Sequence, residues 1–262
     1  MYKTGKDFVA EMTEAFAKGL PGIRAVIFDE TDSTNTQAKL AAASRDVNRA
    51  VFIAKRQTGG RGRLGRSFLS EEGGLYLSYL SRPDLSVTDS VRLTAYAAVC
   101  LCEVIAEQTP LSPKIKWVND CFVCGKKLAG ILTEGGFCAD GSRFAYTVVG
   151  IGVNVAKVDF GEELSDIATD IERECGERID ICRFAVALTE KLSRFEDADP
   201  AVYMNKYRSL SVVMGKRVKV TSPSGDYFAT VTDIDEGGAL AVTLDSGETK
   251  KLISGEVSLR FE

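Results

Sequence analysis

Residues 50–82 read AVFIAKRQTGGRGRLGRSFLSEEGGLYLSYLSR, and they hold the organisation of the chain in one stretch. AVFIAK (50–55) predicts a buried strand. GLYLSYLSR (74–82) alternates apolar and polar residues and predicts the strand that returns. Between them GGRGRLGR (59–66) sets three arginines and four glycines in eight positions. Glycine allows positive φ and close backbone approach, so successive N–H groups can converge on an anion. Arginine adds charge-assisted, often bidentate bonds to carboxylate or phosphate. Lys55, Arg56, Arg61, Arg63 and Arg66 all precede the next acid, Glu71. Two kinds of partner suit such a loop: a nucleic-acid backbone or a small phosphorylated ligand.

The remainder of the chain favours the small ligand. The 262 residues are 45% hydrophobic and 27% charged, with a formal net charge of −4. No global field therefore draws the protein onto DNA or an anionic membrane, and the basic loop is a local exception. No apolar stretch reaches the length of a membrane span, and MYKTGKDFVAEMTEAF (1–16) carries acids and no signal-type apolar core. A cytoplasmic location is the expectation. Seven cysteines without an export signal predict reduced thiols. Cys121 and Cys124 form a single CxxC, which reads more simply as a short turn between strands than as half a zinc site. The chain has no histidine, so Ser-His-Asp, Cys-His and His-metal chemistry are excluded.

Around the loop, residues 7–18 predict a helix, 23–30 a strand and 36–45 a helix capped by TDSTN. A long helix is predicted over 87–108. KIKWVND (114–120), KLAGILTEGGF (127–137) and RFAYTVVGIGVNV (143–155) predict a run of strands. Helices are expected around 164–175, 180–195 and 200–210. From Met214 five short strands follow, ending in GEVSLRFE, with Gly-containing turns that suggest a small barrel. The expected architecture is α+β: a mixed β-sheet flanked by helices over 1–212, and a small all-β domain over 213–262.

Three further stretches hold polar or glycine residues where a plain core would want neither. Thr31–Asn35 reads by itself as a helix cap. Lys114–Asp120, ending in Asn-Asp and followed by Lys126–Gly130, could offer oxygens to a ribose or to Mg²⁺ and a lysine to the same place. Gly150–Val155 has glycines within a strand, which mark close approach by a neighbour or ligand. It lacks the GxGxxG spacing of a dinucleotide site.

In this order, DSTN (32–35), GRGRLGR (60–66), KWVND (116–120), KLAGIL (127–132) and GIGVNV (150–155) resemble the biotin protein ligase family. The resemblance runs from about residue 23 to 262 and includes a C-terminal SH3-like barrel. It implies joining of biotin to ATP as biotinyl-5′-AMP with release of pyrophosphate, then transfer to one lysine of a biotin carboxyl carrier domain. It implies no tightly bound cofactor, with biotin, ATP and Mg²⁺ as small-molecule partners. The resemblance places Ser33, Thr34, Asn35, Gln57, Gly60, Arg61, Gly62, Arg63, Lys127 and Gly130 at biotin. It places Arg61, Arg63, Arg66, Asn119, Asp120, Lys127 and Asn154 at ATP, Asp120 at Mg²⁺, and Arg63 and Lys127 at the reacting centre. The glycine-rich loop is expected to order over the adenylate.

Val118 stands where the family carries proline, a change that a strand would accept. Phe68 stands where many members carry tryptophan. Only about 22 residues precede the first predicted strand, so a ligase without a DNA-binding domain or repressor function is expected. The resemblance leaves a homodimer open. A lipoate–protein ligase is the nearest alternative enzyme, and a nucleic-acid-binding module the alternative of another class.

Overall fold

The computed structural model describes residues 7–222, 225–253 and 256–259. The chain opens with α1 (Phe8–Gly19), whose first turn is capped by the Asp7 carboxylate, and continues into β1 (Arg24–Thr31). Then come α2 (Thr34–Ala42), β2 (Ala50–Gln57), β3 (Gly74–Ser81) and the long α3 (Ser90–Gln108). A compact antiparallel run follows: β4 (Lys114–Lys116), β5 (Asp120–Val123), β6 (Lys126–Phe137) and β7 (Phe144–Asn154). Four helices complete this part: α4 (Gly161–Leu164), α5 (Ile171–Cys175), α6 (Ile181–Leu192) and α7 (Pro200–Leu210).

The seven strands form one sheet in the order β1-β2-β3-β7-β6-β5-β4. Only β1 and β2 pair in parallel; every other neighbouring pair is antiparallel. Strand alternation sends Val51, Ile53, Leu75, Leu77 and Tyr79 into the main core with α1, α3, α6 and α7. Phe52, Leu80 and Val148 pack on the opposite face beneath Ala38 and Ala42 of α2. Helices thus cover both faces, and the sequence-derived α+β class holds.

β3 is central and buried almost throughout, its polar positions included. Its serine Ser78 is fully buried because it faces a polar network and not water. The helix expected around 164–175 is two short helices separated by residues 165–170, which begin as a turn over 165–167. In that gap the backbone of Ala168 bridges to Lys127 in parallel, so pairing wins over helical propensity. KWVND is a hairpin turn rather than a strand: Lys116 pairs with Asp120 across Trp117–Asn119, and the Trp117–Val118 peptide is cis. Val118 therefore occupies a turn.

The C-terminal strands β8 (Arg217–Ser222), β9 (Gly225–Ile234), β10 (Leu240–Leu244), β11 (Thr249–Leu252) and β12 (Glu256–Leu259) form a second, antiparallel sheet in the order β11-β10-β9-β8-β12. Gly255 and Arg260, part of the GEVSLR run, lie outside the described residues. Val218, Val220, Ala229, Val231, Ile234, Leu240 and Val242 join the same core as the first sheet. The buried Trp117 indole donates to the Gly238 carbonyl at 2.9 Å, which ties the β9–β10 turn to the β4–β5 turn. No described helix is long and apolar enough to cross a membrane.

Candidate active site

The α2 face of the sheet carries a cavity above the junction of β3, β7 and β6. Strand register explains its floor. Gly130 of β6 sits beside Gly152 of β7 and Tyr76 of β3; one step along, Leu132 lies beside Gly150 and Ser78. All six residues line the cavity or bond to residues that do. A Cβ at Gly150 would lie 2.0 Å from Asn35 Oδ1, and one at Gly152 would lie 2.6 Å from the Phe68 ring. The glycines of GIGVNV are thus needed because two side chains lie flat on the strand they occupy.

Asn35 and Thr34 reach the floor from the first turn of α2. The structure corrects the cap expected from TDSTN. The helix begins at Thr34, and Ser33 occupies the N-cap position without a side-chain hydrogen bond to the helix. The cap comes instead from a distant residue. Gln57, at the end of β2, accepts from Thr34 N at 2.8 Å and from Thr34 Oγ1 at 3.1 Å. Its Nε2 donates to Ser70 Oγ at 3.0 Å. Gln57 thereby satisfies an orphan N–H that a helix start would otherwise leave open. Ser78 Oγ stands 2.7 Å from Thr34 Oγ1 and 2.6 Å from Asn35 Oδ1. Asn35 Nδ2 donates to Leu132 O at 3.2 Å and to Glu134 Oε2 at 2.7 Å, and Glu134 in turn pairs with Lys39 at 2.6 Å. Burial works to raise the Glu134 carboxyl. The hydrogen bonds from Lys39 and Asn35, with the charges of Lys39 and Arg61, overcome it and hold the group below its ordinary value.

The arginine loop closes over this floor as a narrow hairpin. Phe68 N donates to Gly60 O at 3.0 Å and Gly62 N to Arg66 O at 2.7 Å, with a bridge between Arg61 and Ser67. At the tip, Arg66 N donates to Arg63 O, and Leu64 and Gly65 have φ of 56° and 76°. Positive φ at both central residues is the signature of a type I′ hairpin turn, for which Gly65 is well suited. The loop backbone is thus a regular two-stranded hairpin. Its base is set by Gly60, where a Cβ would lie 2.5 Å from Phe68 O.

Arg61, Arg63 and Arg66 line the cavity with Lys116, Asn119, Asp120 and Lys127. Arg63 donates to Asn119 Oδ1 at 3.0 Å, and Asn119 Nδ2 to Ile131 O at 2.9 Å. Lys127 Nζ lies 2.7 Å from Asp120 Oδ1 and 5.9 Å from the centre of the Phe68 ring. Asp120 Oδ1 is buried and has no hydrogen bond of good geometry beyond this ion pair. Five cations thus face one carboxylate in the cavity lining, a balance suited to a polyanion.

Of the residues singled out in the sequence, Ser33, Thr34, Asn35, Gln57, Arg61, Gly62, Arg63, Arg66, Asn119, Asp120, Lys127 and Gly130 meet at this cavity. Gly60 and Asn154 do not line it. Gly60 is packed beneath Ser70 and Phe68, and Asn154 is buried and donates to Thr169 O at 3.0 Å. Asn154 therefore shapes the segment that flanks Lys127 rather than the cavity wall, because Thr169 N bonds to Lys127 O. Sequence reasoning missed Ser78, Lys39 and Glu134, whose polar groups complete the floor network, and Lys116 at the cavity wall. Cys121 and Cys124 do not converge: Cys121 is buried 3.8 Å from Cys102, and Cys124 is exposed at the turn.

Residues 27–154 match the Biotin/lipoate A/B protein ligase family model, and residues 213–260 match the Biotin protein ligase C terminal domain. The bifunctional ligase/repressor BirA of Bacillus subtilis is 31% identical over 98% of this chain and 80% of its own length. A biotin–[acetyl-CoA-carboxylase] ligase of Mycobacterium tuberculosis is 31% identical over 87% of this chain and 86% of its own. Among solved structures, the biotin protein ligase of Aquifex aeolicus in complex with biotin and ATP aligns with a TM-score of 0.74 and 29% identity, covering 91% of this chain and 99% of that one. Two domain matches in the expected order, near-complete alignment and a shared architecture agree: this chain belongs to the biotin protein ligase family.

Proposed function

We propose that the cavity joins biotin to ATP and passes the biotinyl group to a carrier-domain lysine. The observation that carries this reading is the division of the cavity into two ends. One end is an uncharged hydrogen-bonding floor made by Ser33, Thr34, Asn35, Gln57 and Ser78 over Gly150. The other carries Asp120 paired with Lys127 and Asn119 bonded by Arg63, in a lining to which Arg61, Arg66 and Lys116 add positive charge. A ligand with a neutral polar head and a carboxylate tail would lie with its head on the floor and its tail among the cations, where ATP phosphates also belong.

The chemistry follows from that placement. A biotin carboxylate oxygen attacks the α-phosphorus of ATP, the bond to the bridging oxygen breaks, and pyrophosphate leaves. Two anions must meet, and charge then accumulates on the leaving group. Arg63 and Lys127 are assigned to the reacting carboxylate and phosphate, and Arg61 and Arg66 to the flanking phosphate oxygens. Fixed cations of this kind stabilise the transition state without reorganising during the reaction. Asn119 holds Arg63 in place and completes the nucleotide end. Asp120, a half-buried carboxylate whose buried Oδ1 has only an ion pair, fits as the protein ligand to Mg²⁺; a Mg²⁺ ion held there would neutralise phosphate charge. In the second half-reaction a lysine amine of the carrier attacks the acyl carbon and AMP departs. Neither half needs a protein nucleophile, so a chain without histidine is adequate.

We assign residues 1–212 to the catalytic domain and 213–262 to an SH3-like barrel domain. The location proposed is cytoplasmic, where a carboxylase carrier domain would be the partner. The carrier half is tested by incubating the protein with biotin, Mg²⁺-ATP and an apo biotin carboxyl carrier domain. Mass spectrometry is expected to show one added biotinyl group on a single lysine, and none when that lysine is changed to arginine. Equal labelling of the arginine variant would mean release of a diffusing adenylate rather than directed transfer.

A further inference from the structure

Hydrogen-bond polarity in the cavity floor can be read donor by donor, and it leads to a residue outside the cavity. Thr34 N can only donate, so Gln57 must turn its oxygen toward Thr34; the Thr34 hydroxyl proton, 3.1 Å away, goes to that same oxygen. Thr34 Oγ1 is therefore an acceptor toward Ser78. At the other side, Glu134 presents a carboxylate, which only accepts, and Leu132 presents a carbonyl. Asn35 must give both its N–H groups to these two, and its oxygen then faces Ser78 and the cavity. Ser78 has one proton between two acceptors, Thr34 Oγ1 at 2.7 Å and Asn35 Oδ1 at 2.6 Å. Asn35 Oδ1 meets Ser78 with one lone pair and keeps the other for a ligand N–H.

Glu134 is positioned for this task by the fold. It lies on the same face of β6 as Gly130 and Leu132, four and two residues back. Asn35 and Lys39 are spaced i, i+4 on α2, so both project onto it. Its two oxygens divide the work: Oε2 takes Asn35 Nδ2 at 2.7 Å, and Oε1 takes Lys39 Nζ at 2.6 Å. We propose that Glu134 is a positioning residue for ligand recognition: it fixes the Asn35 amide with its oxygen toward the cavity, and so selects a ligand whose head group donates N–H. This rests on the biotin reading above, in which the donor is a ureido N–H.

The experiment compares KM values in biotin-dependent exchange of pyrophosphate into ATP. Glu134→Gln, close in shape, lets the neighbour donate as well as accept, so the Asn35 amide is no longer held in one orientation. It is expected to raise KM for biotin about tenfold, the scale of one hydrogen bond to a charged group, with KM for ATP within about twofold of wild type. The chemical readout uses the two cyclic-carbamate analogues of biotin, in which oxygen replaces one or the other ureido N–H. The analogue that lacks the donor to Asn35 is expected to bind wild type weakly and to be unaffected by Glu134→Gln. An unchanged KM for biotin in Glu134→Gln, or an equal loss for biotin and both carbamates, would overturn the proposal. Absence of biotin-dependent exchange in the wild type would overturn the underlying reading of the site instead.

Discussion

Lys127→Met is expected to lower the rate of biotin-dependent pyrophosphate exchange by about 10²–10³-fold, the usual cost of removing one preorganised group from developing charge. The side chain reaches the cavity from β6 with its backbone fixed on both sides: Lys127 N donates to Ile167 O at 2.8 Å, and Lys127 O accepts from Thr169 N at 3.0 Å. No neighbouring cation can slide along the strand to replace it. Nζ also lies 2.7 Å from Asp120 Oδ1, so the substitution strips a buried carboxylate oxygen of its partner and leaves the nucleotide end more negative where ATP must bind. The loss should fall on kcat more than on the biotin affinity, because the floor that holds the head group is untouched. Steady-state exchange kinetics with separate titrations of biotin and ATP make the check. A loss under tenfold would remove Lys127 from the reacting centre.

Gly150→Ala is expected to weaken biotin binding by about 10²-fold, read by titration calorimetry, while ATP-end residues keep their arrangement. A methyl at that position would stand 2.0 Å from Asn35 Oδ1 and 2.7 Å from its Cγ. The strand cannot recede, because Gly150 is paired to Ser78 on one side and Leu132 on the other. Asn35 must turn away, and its contacts with Ser78 and Glu134 go with it. Loss of buried hydrogen bonds plus overpacking amounts to about 3 kcal/mol, which is about two decades in affinity. Undiminished affinity in Gly150→Ala would show that Asn35 does not contact the ligand head.

The contrast between these two sites shows what can be read from a sequence. GRGRLGR announces itself because the concentration of arginine and glycine has no packing explanation, and the structure places all three arginines of that loop on the cavity. Lys127 and Asp120 lie on adjacent strands across a short turn, so local spacing brings them together. Ser78, Lys39 and Glu134 give no such signal. A serine in an alternating strand gives no hint of burial, and it is α2, with Thr34 and Asn35 against it, that covers Ser78. Glu134 and Lys39 are 95 residues apart and look like ordinary surface charges until α2 lies down on β6. Thr34 and Asn35 read as cap residues because Ser, Thr and Asn favour that role. The actual cap comes from Gln57, which is distant in sequence and adjacent only through the parallel pairing of β1 and β2. Asn154 belongs to a recognisable strand motif, and its amide donates to the Thr169 carbonyl instead of lining the cavity. Residue type located the charged end of the site, whereas the uncharged end depends on register.

The central claim is activation of biotin as its adenylate. The most direct measurement is exchange of labelled pyrophosphate into ATP by the purified protein, with biotin, lipoate and octanoate as alternative acids. Exchange that requires biotin and is absent with the other two is the predicted result. Exchange with lipoate or octanoate but not biotin would contradict it and assign the cavity to the related acyl ligases. Silence with all three acids, for folded protein, would contradict adenylation altogether.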